Sequence, residues 1–195
     1  MDTTSLRAAT IAGEAEIHHA IATLVLAFGT DPVARWMYRE PDQYLLHVPR
    51  LFRALGISSF AAGAAQRTSD GLGVALWLPP GVQGNHERVE AVVTESVAQE
   101  MQADVSAVFE RTEQYRPSEP HWYLSLIGVE ALHRNNGCGV TAARPSPMRS
   151  GPPFRAPLVI ESAKYFSLRK AWLCDHRYDS SGRVAFHLPM LRDAR

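Results

Sequence analysis

The run HWYLSLIGV at residues 121–129 leaves a chain few choices. It is apolar or aromatic almost throughout, follows Pro117 and Pro120, and runs out into a segment punctuated by Gly137 and Gly139. Such a run suits a strand buried on both faces inside a sheet better than a solvated edge strand. Strict alternation would place His121, Tyr123, Ser125, Ile127 and Val129 on one face, and Trp122, Leu124, Leu126 and Gly128 on the other.

The remaining chain supplies elements to cover that strand, in a mixed α/β order. SLRAAT reads as a first strand, and EAEIHHAIATLVLAF follows with Ile17, Ala20, Ile21, Leu24, Val25 and Phe28 at helical spacing, ended by Gly29. DPVARWMY and QYLLHVPRLFRAL read as short helices, with Pro49 predicting a break or kink in the second. SSFAAGAA, the turn-rich RTSDGLG and VALWLPPG read as a hairpin. From His86 to about Tyr115 a polar helical region, divisible into two helices, carries an apolar side from Val89 to Phe109.

After the buried strand, Arg134, Asn135, Asn136, Gly137, Cys138, Gly139 and Val140 stand where a strand-to-helix turn should be. Glycines let a backbone come close to a ligand, and the free N–H groups of a helix start favour phosphate. A plain strand-to-helix turn has the same spacing. Pro145, Pro147, Pro152 and Pro153 then fall where the helix body belongs, each costing about 3 kcal/mol in a helix interior. Residues 140–157 are therefore expected to be poorly helical.

HWYLSLIGVEALHRNNGCG resembles the acetyl-coenzyme A signature of the GNAT superfamily of N-acetyltransferases, V-x-P-x-x-[QR]-x-x-G-x-[GA]. Val129, Arg134, Gly137 and Gly139 match, and Ala131 replaces the usual proline. The AFGTDPVARW and VALWLPPG segments make the layout similar to puromycin N-acetyltransferase-like members. The resemblance implies an acyl-CoA N-acyltransferase fold, a central twisted mixed sheet flanked by helices. It implies one domain over 1–195, with an acceptor-side half at 1–120 and an acetyl-CoA-side half at 121–195. The implied reaction is acetyl transfer from acetyl-CoA, as cosubstrate, to an amine of a small molecule, with xenobiotics and antibiotics among the candidates. The cosubstrate would be held by backbone groups of Ile127, Gly128 and Val129 and by the segment from Arg134 to Val140. His121 and Glu130 are chemically able to take the amine's proton, although an exposed histidine and a solvated glutamate are the plainer readings.

Two family elements are missing from the written chain: a helix after the glycine loop, and the motif LYExxGF whose tyrosine would protonate the departing thiolate. LVIES and YFSL are kept. Read one nucleotide later, the codons available to Leu168–Asp175 admit YEKHGFVI. The single codon of Trp172 forces the glycine there if the codon of Leu173 begins with C. Residues 140–149 similarly admit SLLLAPALCE. Residues 140–158 and 168–175 thus look frameshifted relative to the family. The alternative is a noncatalytic GNAT-like CoA-binding protein.

Composition narrows the partners. Twenty basic and twenty acidic residues cancel, which gives no electrostatic case for nucleic acid or an anionic membrane. IATLVLAF is far shorter than the ~20 residues a bilayer span needs, and the N-terminus lacks a signal-peptide core. A cytoplasmic protein, monomeric or homodimeric, is expected. Cys138 and Cys174 suggest free thiols, and no histidine spacing suggests a metal. Trp36, Met37 and Tyr38 cluster where an acceptor could be recognised, or where a core could form.

Overall fold

The computed structural model describes residues 8–114, 120–133 and 158–160. They form a five-stranded sheet in the order β1-β2-β3-β4-β5, packed against helices. The strands are β1 (Ala8–Thr10), β2 (Ala65–Thr68), β3 (Gly73–Leu78), β4 (Trp122–Val129) and β5 (Leu158–Ile160). The first three pairings are antiparallel and β4–β5 is parallel, so the sheet is mixed as expected. The strand expected at 121–129 forms, and it is internal, bonded to β3 on one side and β5 on the other.

Helix α1 (Glu14–Ala27) lies against the sheet through Ala20, Ile21, Leu24, Val25 and Ala27. Its start is fixed by Glu16, whose carboxylate accepts the N–H groups of Ala12 and Gly13 at 3.0 and 3.2 Å. The same side chain meets Arg67 of β2 at 3.0 Å, tying the helix start to the sheet. Helix α2 (Pro32–Met37) begins with proline, whose missing N–H is no loss at a helix start.

Helix α3 corrects the expected break at Pro49. It is one helix from Pro41 to Ala61 with Pro49 inside. The carbonyl deprived of its partner is that of Leu45, an exposed residue, where solvent can satisfy it. The stripe of Tyr44, Val48, Leu51 and Phe52, all buried, supplies the apolar burial that keeps the helix whole. The hairpin boundaries also shift. Ser58–Ala61 continue α3 instead of forming a strand, because Ser59 falls on its buried stripe. The helix ends before Gly63, whose φ of 61° favours glycine. Arg67 and Thr68, read as turn, belong to β2. The true turn is short: Asp70 Oδ1 accepts the Leu72 N–H at 3.1 Å, and the Thr68 hydroxyl accepts the Gly73 N–H at 2.9 Å.

The polar helical region divides into α4 (His86–Ser96), capped by Asn85, and α5 (Gln99–Gln114). Val93, Val97 and Val105 anchor this pair to the same core as α1 and α3. No helix among the described residues is long and apolar enough to cross a membrane.

Candidate acyl-transfer site

Strand β4 does not keep the strict alternation expected of it. Leu76 is partnered with Leu126 but Trp77 with Leu124, so Ser125 is an extra residue, a β-bulge. The Ser125 hydroxyl donates to the Leu76 carbonyl at 3.1 Å, satisfying an acceptor at the irregularity. The bulge changes which residues share a face: Tyr123, Ser125 and Leu126 all line one cavity, although Leu126 was expected opposite the other two.

Among the described residues Trp122, Tyr123 and Leu124 are paired with β5. The direction of the backbone beyond them follows from one bond. The Glu130 N–H donates to the Leu72 carbonyl at 2.9 Å, and Gly128 is opposite Val74, two residues along in both chains. In an antiparallel ladder alternate residues face the same neighbour. Gly128 therefore turns its backbone groups to β3, while Ile127 and Val129 turn theirs to the opposite edge. Ile127, Gly128 and Val129 follow one another along the strand, but their backbone groups face different edges.

α1 comes close to this strand at Gly128. A Cβ at that position would sit 2.8 Å from Ala27 Cβ and 2.9 Å from Leu24 Cδ2. Only glycine admits α1 at this distance, and the close approach brings Phe28 and the α1–α2 connection up against the outer half of β4.

Beside that connection lies a cavity of about 570 Å³, within the range of small-molecule sites. α2, α3, α4, α5 and the β3–β4 pair all contribute to its wall. Of the suspected aromatic cluster, Trp36 and Met37 line it. Tyr38 is instead buried, with its hydroxyl 2.7 Å from that of Ser96, and burial raises its pKa.

Asp31, which the sequence reading passed over, is the buried carboxylate of this wall. It is 2% exposed, and its Oδ1 accepts the N–H groups of Val33 and Ala34 at 3.1 and 3.0 Å. Its Oδ2 is buried with no hydrogen-bond partner among the described residues. An aspartate just before proline is a readable helix-cap signal, but nothing in the pattern announces the spare oxygen. The charge of Asp31 is felt nearby. Tyr44 has its pKa pushed up to about 12 by burial and then by Asp31, with Arg35 opposing.

The two suspected proton acceptors stand at opposite ends of β4. The His121 and Tyr123 rings meet at 82°, with centroids 6.4 Å apart. Glu130 follows the strand, and its carboxylate is 3.6 Å from His133 Nδ1 in the short 3-10 turn Ala131–His133. Neither is among the described residues that line the cavity. Arg134, Asn135, Asn136, Gly137, Cys138, Gly139 and Val140 lie outside the described residues, as do the proline-rich run at 140–157 and residues 168–175. Among the described residues no group of three His, Cys, Asp or Glu side chains could hold a metal.

No protein-family model matches the sequence. The structure is similar to a crystal structure described as histone acetyltransferase HPA2 and related acetyltransferase from Corynebacterium glutamicum. The TM-score is 0.58 and the identity 20%, with 96% of this chain and 94% of that chain covered. Together with three antiparallel pairings, one parallel pairing and the bulged strand between them, this likeness shows that the chain shares the fold of that structure, a mixed sheet flanked by helices.

Proposed function

We propose that the protein is an acetyl-CoA-dependent N-acetyltransferase acting on an amine of a small molecule, an antibiotic or other xenobiotic among the candidates. One observation carries this reading: the backbone groups of Ile127 turn to the edge of β4 away from β3, on the same bulged strand whose Ser125 and Leu126 line a cavity of ligand size. An extended pantetheine arm can add to such an edge as a strand does, with main-chain hydrogen bonds giving the affinity.

Acetyl transfer requires the amine lone pair to attack the thioester carbonyl carbon, the carbon–sulfur bond to break, and the amine's proton to leave. An N–H at the Ile127 edge is suited to the oxygen that becomes negative during attack. The cavity positions the amine and keeps bulk water from the thioester. His121 or Glu130, each outside the described cavity lining, takes the proton through water. The glycine segment from Arg134 to Val140 holds the pyrophosphate.

A second reading, a CoA-binding protein without turnover, is favoured by one feature of the written chain: it has no LYExxGF tyrosine to protonate the thiolate. We attribute that loss, with the proline-rich run, to two compensated frameshifts. Thiol release from acetyl-CoA across an amine panel, alongside calorimetric titration of CoA, decides between the readings. Release above the no-amine background supports the transferase. Binding without release supports the second reading, and absence of both removes the two together.

A further inference from the structure

The cavity has a consistent charge. Among the described residues lining it, Asp31, Glu90 and Glu110 are carboxylates, and no lysine or arginine is present. Its aromatic wall includes Trp36, Phe109 and Tyr123. Carboxylates set among ring faces form the chemistry that recognises organic cations. The deepest of the three carboxylates is also the one with a spare oxygen. Asp31 Oδ1 is committed to two backbone donors, while Oδ2 is buried and unpartnered among the described residues. A buried carboxylate oxygen without a partner is costly, and a cation held in the cavity that Asp31 lines would offset part of that cost through its charge.

We propose that this cavity is a cation-recognition subsite, anchored at Asp31, for an apolar acceptor carrying a positive charge in addition to its reactive amine. The proposal rests on the transferase reading for the word acceptor, but not for the binding itself. The anchored nitrogen is distinct from the one acylated, because a protonated nitrogen has no lone pair with which to attack. The exposed Glu90 and Glu110 draw the cation in, and the rings pack against its apolar body.

The probes are phenylbutylamine, cationic at neutral pH, and phenylbutanol, its neutral counterpart, titrated calorimetrically into the full chain without acetyl-CoA. Phenylbutylamine should bind the wild type more tightly than phenylbutanol, and Asp31→Asn should weaken it by about tenfold or more. Asparagine keeps the helix cap, being as good a cap as aspartate, so the variant should fold. Glu110→Gln, at an exposed position, should give a smaller loss in the same direction. Equal binding of the two probes, or unchanged phenylbutylamine binding in Asp31→Asn, would overturn the proposal. Titrating CoA into the same samples separates the two ideas: loss of CoA binding in the wild type would sink the transferase reading and leave the cation result standing.

Discussion

Replacing Gly128 with alanine probes the contact on which the site's geometry depends. The new methyl would stand 2.8 Å from Ala27 Cβ, 2.9 Å from Leu24 Cδ2 and 3.5 Å from Phe28 Cε2. The first two distances are well inside van der Waals contact, and Leu24 and Ala27 are fully buried. Ala27 Cβ moves only with the helix backbone, so α1 must shift outward or β4 inward. Overpacking of this kind costs about 1–3 kcal/mol. The reduced freedom of the unfolded chain on losing a glycine returns roughly 0.4–1 kcal/mol. A net loss of about 1–2 kcal/mol is expected, lowering Tm by about 2–8 °C for a chain of this size. Urea unfolding of the variant, of Ala27→Gly and of the double variant measures both the loss and its origin. The double variant should be more stable than the sum of the singles predicts, by at least about 0.5 kcal/mol. An unchanged midpoint for Gly128→Ala, or strict additivity, would refute the argument that this glycine sets the distance between α1 and β4.

Three further outcomes follow from particular residues. Pro49→Ala should raise the unfolding midpoint, because α3 runs through that position and alanine restores the hydrogen bond to the Leu45 carbonyl; a lowered midpoint would show that the proline shapes the packing of α3. Tyr44, buried with its hydroxyl donating to the Val25 carbonyl at 2.7 Å, has a folded pKa raised to about 12 from 10.0. The folded state therefore keeps a proton that the unfolded state releases. The stability from this group is intact below pH 10 and falls as pH rises toward about 12; Tyr44→Phe should flatten that part of a pH–stability curve. Restoring the readings SLLLAPALCE and YEKHGFVI should raise CoA affinity and thiol release together; a chain restored in both segments that gains neither would end the frameshift reading.

The central strand was legible in the sequence because it is buried on both sides, so its apolar residues run on without the interruptions of a surface. Ser125 was not. A bulge is a relation between two strands, and only the partner's register reveals the extra residue. The unbroken course of α3 was hidden for a different reason: Pro49 is a local signal, and the buried stripe from Tyr44 to Phe52 that overrides it acts across the fold. Ser58, Ser59, Phe60 and Ala61 carry no signal that separates helix from strand, so tertiary contact decided their state. At the candidate site, Ile127, Gly128 and Val129 were named through the resemblance, but the opposite facing of their backbone groups required the Glu130–Leu72 bond. Asp31 could be read as a cap and not as a cavity wall, since the wall comes from helices distant in sequence.

The central claim is that the outer edge of β4 receives the acetyl-CoA arm, and amide hydrogen exchange read residue by residue tests it most directly. With CoA added, the Ile127 amide, which faces that edge, should exchange more slowly. The Gly128 amide, already turned to β3, should change little. Bound CoA with no added protection at Ile127, or equal protection at Ile127 and Gly128, would contradict the account.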